Sequence, residues 1–303
     1  MREDLRRARR FARRLEPWDP EAPIPPPLPP GAVVAVPERG EVFYRHHQGP
    51  PGSIAVLLLH GWTASADVNW FLAYRMLAEH HTVVALDHRG HGRGIRDERP
   101  FTLEDAADDA AALLDVLGIE GAVAVGYSMG GPIAMLLAHR HPDLVQGLVL
   151  EGTALEWRAG WYERIVWRFM SLLEAGLRAG TGQGMVRRIL RQAMEDEPSI
   201  APYRSWLRGE LRRGDPADIA EAGRALGRYD ARPFAASLGM PAAVVVTTRD
   251  RLVRPKKQRA LAKALGARVF ELDGDHDAPL VKGGQFADVT REATAWVASR
   301  ALV

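Results

Sequence analysis

Residues 122–132 read Ala122-Val123-Ala124-Val125-Gly126-Tyr127-Ser128-Met129-Gly130-Gly131-Pro132, and a helical pattern continues over 133–140. A short apolar run, a Gly-x-Ser-x-Gly turn and a helix follow one another, the context in which that pentapeptide carries chemical meaning. A serine held at a sharp strand-to-helix turn projects its Oγ above the sheet. Glycines two residues to either side, Gly126 and Gly130, are required where a Cβ would collide between strand and helix. Pro132 fits the first helical turn, where its missing N–H has no intrahelical partner to lose.

Working outward, continuous apolar runs recur at 54–59, 82–86, 122–125, 148–150, 242–246 and 268–272, as expected of strands buried on both faces. Residues 32–36 and 41–46 read as an antiparallel pair around Pro37, Arg39 and Gly40. Helix-sized segments lie between the runs. Thr102 with Asp105 resembles a capping box opening a helix that runs to about Leu117, where Gly118 stops it. The fold class expected is α/β: a mostly parallel sheet of about eight strands flanked by helices. One interval breaks the alternation. Over residues 153–240 the patterns are helical and no convincing strand appears, so this segment is expected to be a helical cap between two halves of a core, 32–152 and 241–303.

The chain has 303 residues, 47% hydrophobic and 26% charged, which argues against a disordered or coiled-coil protein. It has no cysteine, so disulfides, zinc-thiolate sites and cysteine nucleophiles are excluded. The net charge of +2 is unevenly placed: residues 1–14 hold seven arginines against Glu3 and Asp4, leaving the remainder slightly acidic. The body therefore offers no electrostatic case for nucleic acid. Residues 1–31 are expected to be a basic tail and a proline-rich linker, with eight prolines in 17–30. Leu5, Ala8, Phe11, Ala12 and Leu15 fall at helical spacing in the tail. Contact with an anionic membrane surface through that helix is the less favoured reading, behind a solvated extension. With no run of 18 apolar residues and no apolar h-region at the N-terminus, the expected location is cytoplasmic.

With these motifs in view, the sequence from about Ala32 onward resembles the α/β-hydrolase family, and specifically its serine esterase-like and lipase-like members with a helical cap. His60-Gly61-Trp62 is similar to the family's oxyanion loop, and Asp87-His88-Arg89-Gly90-His91-Gly92 to another of its turns. The resemblance implies an acid after a late strand, matched by Thr247-Thr248-Arg249-Asp250. It implies a histidine after the last strand, matched by Gly274-Asp275-His276-Asp277. It also implies that the backbone N–H groups of Trp62 and Met129 form an oxyanion hole.

The expected catalytic residues are thus Ser128 as nucleophile, His276 as base and Asp250 as the carboxylate that orients the imidazole. Asp273, Asp275, Asp277 and Glu151 stay open as other carboxylates, Glu151 because it ends the strand after the elbow. His60, His88 and His91 read as structural, and no metal or cofactor is expected. Gly90 to Gly94 lacks the sixth-position glycine of a dinucleotide loop, which is Ile95 here. Trp157, Trp161, Trp167 and Trp206 fall in the inserted segment, where packing between helices is the default. Tyr127, Trp161 and Trp167 are the candidates to line a substrate pocket. The function expected is a serine hydrolase cleaving carboxylic esters of small apolar substrates through an acyl-enzyme. Thioester, lactone or carbon-carbon bond hydrolysis and perhydrolysis would use the same residues. A serine at the elbow argues against epoxide hydrolase and haloalkane dehalogenase, which the resemblance equips with aspartate there. A non-catalytic ligand receptor on the same scaffold is the rival of another class.

Overall fold

The computed structural model describes residues 25–157, 202–211 and 213–301. The strands are β1 (Gly31–Val36), β2 (Gly40–His47), β3 (Ala55–Leu59), β4 (Thr82–Leu86), β5 (Ala122–Tyr127), β6 (Val145–Glu151), β7 (Ala242–Thr247) and β8 (Arg268–Leu272). Each apolar run of the sequence becomes a strand, but 268–272, expected to be buried on both faces, forms the edge strand β8, and only Leu272 in it is buried because Arg268 and Glu271 face solvent. The strands form one eight-stranded sheet in the order β1-β2-β4-β3-β5-β6-β7-β8. β2 runs antiparallel to β1 and β4, and all other pairings are parallel.

β3, β4, β5 and β7 are buried along their whole length, because helices cover both faces of the sheet and leave no side for polar residues. Side chains alternate between the two layers. Leu57 and Leu59 pack with α3 (Leu103–Val116), α4 (Gly130–Arg140) and α7 (Pro255–Leu265). Val56 and Leu58 pack with α1 (Ala66–Trp70), α2 (Tyr74–Ala78) and α9 (Gly283–Ala301), which follows the short α8 (Ala278–Val281). The capping reading at α3 holds: Thr102 Oγ1 accepts from Asp105 N–H at 2.9 Å and donates to the Asp105 carboxylate at 2.8 Å. α4 starts three residues earlier than the apolar periodicity suggests, since Gly130, Gly131 and Pro132 all fit a first turn that demands no intrahelical donor.

The strand order sets where chemistry can sit. The chain leaves β3 for β4 on one side and returns to β5 on the other, so the loops after β3 and β5 diverge and open a crevice at the carboxyl ends of the strands. Between β6 and β7 the described residues form α5 (Arg204–Leu211), α6 (Pro216–Leu226) and a 3-10 turn over Ala235–Ser237, with one isolated bridge between Glu156 and Asp230. Trp157 is buried in the core cluster, and Trp206 meets Phe71 edge-to-face at 5.4 Å, so both do the packing work expected by default. Trp161, Trp167 and the basic tail lie outside the described residues. The end of the proline-rich stretch is strapped to β2, with Pro29 O accepting from Arg45 Nη1 at 2.9 Å and Pro30 O from His46 N–H at 3.0 Å. Among the described residues no helix is long and apolar enough to cross a membrane.

Candidate active site

Ser128 sits on the turn between β5 and α4 with φ at +52°, a left-handed conformation that costs a non-glycine residue energy and is kept only where its surroundings enforce it. Its N–H donates to Glu151 O at 2.9 Å and its carbonyl accepts from Gly131 N–H at 3.0 Å. The flanking glycines are steric necessities. A Cβ on Gly126 would lie 2.3 Å from Gly130 O, and one on Gly130 would lie 2.0 Å from Leu59 O. Helix, turn and two neighbouring strands are pressed together at this point, which is what lifts the serine clear of the sheet.

The loop after β8 brings His276 over Ser128, with Nε2 at 2.9 Å from Oγ. On its other side Nδ1 is 2.8 Å from Asp250 Oδ2. That pairing fixes the tautomer: Nδ1 carries the proton toward the carboxylate and Nε2 offers a lone pair to the serine hydroxyl. The Asp250 carboxylate is fully enclosed. It accepts from Leu252 and Val253 N–H at 2.9 and 2.7 Å on Oδ1, and from Thr247 Oγ1 and Gln258 Nε2 at 2.8 and 3.1 Å on Oδ2.

None of the competing carboxylates reaches the ring. Asp273 pairs with Arg249 at 2.7 Å, and Asp275 pairs with Arg251 and accepts from His276 N–H at 2.8 Å. Glu151 is fully buried behind the elbow, and neither of its carboxyl oxygens has a hydrogen-bond partner among the described residues. Thr290, beside it, spends its hydroxyl on Phe286 O at 2.8 Å. Burial pushes the Glu151 carboxyl up to about 8, so it is mostly protonated at neutral pH.

The loop after β3 lies beside the elbow. His60 is fully buried; its Nε2 accepts from His88 N–H at 2.9 Å, so Nδ1 is the protonated nitrogen and donates to Gly61 O at 2.8 Å. Burial holds His60, His88 and His91 below the usual imidazole range, and their rings gather within 5.5 Å of His60, consistent with the structural reading. Gly61 N–H donates to Asn69 Oδ1 at 2.8 Å. Met129 stands at the N-terminus of α4, where backbone N–H groups lack intrahelical partners, and Trp62 follows Gly61 on the facing loop. The Trp62 indole Nε1 donates to Ile219 O of α6 at 2.6 Å, so this side chain ties the loop to the inserted segment.

A cavity of about 200 Å³ opens over Ser128 and His276. Its walls include Trp62, Val68, Tyr127, Leu211 and Leu280, a mostly apolar set with few polar groups. Tyr127, expected to line the pocket, does so at the elbow end, and its hydroxyl donates to His276 O. Among the described residues no group of three or more His, Cys, Asp or Glu is placed to hold a metal ion.

Two supports escaped sequence reasoning. Gln258, fully buried on α7, bonds Thr247 through both ends of its amide and also Asp250 and Val253 O; a glutamine on the apolar face of an amphipathic helix was the available signal. The second is an ion network under the loop after β3. Arg93 bonds Asp67, Asp87 and Glu210 at 2.7, 3.1 and 2.8 Å, and Arg45 grips Asp67 from the other side at 2.7 Å. Glu210 belongs to α5, so the network ties that helix to the core; no local spacing in the sequence joins residues 117 positions apart.

The alpha/beta hydrolase fold family matches residues 54–282, three-quarters of the chain. The chain belongs to the alpha/beta hydrolase fold family. A pimeloyl-[acyl-carrier protein] methyl ester esterase of Neisseria meningitidis is 28% identical over 244 residues, covering 78% of this chain and 75% of the relative. RutD of Caulobacter vibrioides, named for carbamate hydrolysis, is 36% identical over 110 residues, but these span only 36% of this chain and 41% of RutD. Among solved structures, the enol-lactonase of Burkholderia xenovorans LB400 superposes with a TM-score of 0.75 at 28% identity, covering 87% of this chain and all of the lactonase.

Proposed function

We propose that this α/β hydrolase cleaves carboxylic esters of apolar substrates through an acyl-enzyme on Ser128. The observation that carries the reading is the unbroken chain from Ser128 Oγ through His276 to Asp250, with links of 2.9 and 2.8 Å. A serine hydroxyl is a weak nucleophile until a base takes its proton as it attacks, and His276 Nε2 stands within hydrogen-bond reach to do so. The imidazole becomes cationic, and the Asp250 carboxylate on Nδ1 stabilises that charge while holding the ring in place. As Oγ bonds to the ester carbon, the carbonyl oxygen takes on negative charge. The backbone N–H groups of Trp62 and Met129 are assigned as its donors, preorganised by the oxyanion loop and the helix N-terminus. Collapse expels the alcohol, which takes the proton back from His276 Nε2. Water then repeats the sequence on the acyl-enzyme and releases the acid.

Residues 153–240 are assigned as the cap that selects substrates, and Trp161, Trp167 and Tyr127 as pocket residues. Leu211 of α5 at the cavity wall and the bond from Trp62 to α6 support a cap that shapes the site. Substitution of Trp161 or Trp167 is expected to shift chain-length preference across 4-nitrophenyl esters. Lactones are the second reading, favoured by the likeness to the enol-lactonase, and differ only in that the leaving alcohol stays tethered. A non-catalytic receptor has no use for a serine, an imidazole and an enclosed carboxylate in sequence. The cytoplasmic location remains an expectation that cell fractionation tests.

The test is Ser128→Ala, assayed for 4-nitrophenyl butanoate hydrolysis and for thermal melting together. Alanine lacks only the attacking oxygen, so the variant should melt near the wild type and lose essentially all turnover. A folded variant that retains most activity would overturn the mechanism.

A further inference from the structure

Of the polar side chains on the cavity wall that the chemistry does not use, Asp277 is exposed, while Asn69 and Thr63 are more enclosed. Asn69 is only 6% exposed and lines the cavity. Its Oδ1 must face Gly61, because a backbone N–H can only donate, so its NH2 group points elsewhere and has no partner among the described residues. Because Asn69 lines the cavity, an apolar group packed over its NH2 would strip two N–H donors of water without replacing it. The amide is also close to the reacting serine. A Cβ built on Gly61 would meet Ser128 Cβ at 3.2 Å and Asn69 Oδ1 at 3.4 Å, so only the width of Gly61 separates the two side chains.

Thr63 is the second. It lines the same cavity, its hydroxyl has no hydrogen bond among the described residues, and its φ is +65°. A β-branched residue in the left-handed region is a backbone outlier, and such strain gathers at sites where the surrounding structure enforces a conformation. The enforcing contacts are around it: Gly61 is held by Asn69, Trp62 is held by Ile219 O, and Ala64 N–H closes the turn onto Gly61 O at 3.4 Å. Glycine would relieve the strain in this turn, whereas threonine puts a hydroxyl on the cavity wall.

Resting on the ester-hydrolase reading above, we propose that Asn69 Nδ2 and Thr63 Oγ1 form a polar subsite that selects substrates carrying a hydrogen-bond acceptor oxygen, an oxo or ether group, a few atoms from the scissile carbonyl. A wholly hydrocarbon chain would bury both groups unsatisfied. An acceptor oxygen on the same chain satisfies them at no cost in shape. A site that must hydrogen-bond a substrate discriminates against the analogue lacking the partner more sharply than an apolar wall discriminates by size.

The test compares isosteric ester pairs that differ by one oxygen for one methylene. 4-Nitrophenyl methoxyacetate against 4-nitrophenyl butanoate places the oxygen in the acyl group, and 2-methoxyethyl acetate against butyl acetate places it in the alcohol. Each enzymatic kcat/KM is divided by the rate constant for hydroxide hydrolysis of the same ester, which removes intrinsic reactivity. The wild type should prefer the oxygen-bearing member by roughly three- to tenfold in one of the two arms, and that arm identifies which half of the ester the subsite holds. Thr63→Val, which keeps the branching and loses the hydroxyl, and Asn69→Asp, which keeps the acceptor for Gly61 N–H and loses the donors, should each reduce the ratio. Thr63→Ser should preserve it. A merely structural role for these residues would change both members of a pair alike and leave the ratio where it was. No preference in either arm, or a preference that survives both variants, overturns the subsite while leaving the hydrolase intact. Failure to turn over any of the four esters overturns the hydrolase reading and the subsite with it.

Discussion

A carboxylate that accepts two backbone N–H groups, a threonine hydroxyl and a glutamine amide is held in one orientation, and Asp250 has all of these. Replacing it by asparagine keeps the shape and removes the charge that stabilises the imidazolium; the same change in the trypsin triad costs about 10⁴ in kcat. Asp250→Asn is expected to lose a factor on the order of 10² or more in kcat, and Glu151→Gln to change it little. The reverse ranking in steady-state assays would transfer the acid role to Glu151. Glu151 has its own signature. Its carboxyl titrates near 8 when folded against an ordinary value of 4.5, so between those values the folded state holds a proton that the unfolded state has released. Stability from this group is therefore full below about 4.5 and falls as pH rises through 8. Glu151→Gln, which cannot ionise, should gain stability relative to the wild type across that window. Melting temperatures of both proteins from pH 5 to 9 check it, and a difference independent of pH would contradict the burial of that carboxyl. At this scale Ser128 and His276 were legible because each follows an apolar strand in a recognisable turn. Asp250 was legible only against four rival carboxylates, since which acid meets the ring depends on how the loops after β7 and β8 fold over one another. Asn69 and Thr63 carried no signal at all; their meaning lies in a hydrogen-bond direction and a backbone angle.

At the scale of elements, the elbow works because β5, α4 and the end of β3 approach more closely than any Cβ allows. Gly130→Ala should cost on the order of 3 kcal/mol or more, because the intruded atom is a strand carbonyl that cannot move aside. Gly284→Ala, on an α9 surface with nothing within 4 Å of the added methyl, should be neutral or slightly stabilising. Denaturant midpoints of the two variants test the contrast. The tether between α5 and the core is a second element-scale feature. Arg93 holds Glu210 at 2.8 Å beside Leu211, so Glu210→Gln loosens the wall of the cavity as well as the fold. The expected loss of stability is on the order of 2 kcal/mol, below the value for a sealed pair because Arg93 retains Asp67 and Asp87. KM for longer acyl chains should rise more than kcat falls. Strand and helix positions were readable from apolar runs and caps. The ion network was not, because its members are scattered over β2, α1, two turns and α5, and charge alone does not say which residues meet.

Across the whole molecule, the reversal of strand order at β3 and β5 decides where the candidate site lies. It places the loop after β3 and the elbow at one crevice, while the loops after β7 and β8 deliver Asp250 and His276 to the same end of the sheet. Parallel strands put all their carboxyl ends on one side, which is why residues as far apart in the chain as Gly61 and His276 converge without any local signal linking them. The expectation of an α/β sheet came from the alternation of runs and helices, and its strand order needed the structure. Treating the protein with a fluorophosphonate and mapping the adduct by peptide mass spectrometry tests whether Ser128 Oγ is the attacking atom. One phosphonyl group on the peptide carrying Ser128, matched by loss of ester turnover and absent in Ser128→Ala, is the predicted result. An unlabelled Ser128 in a protein that still hydrolyses esters would contradict it.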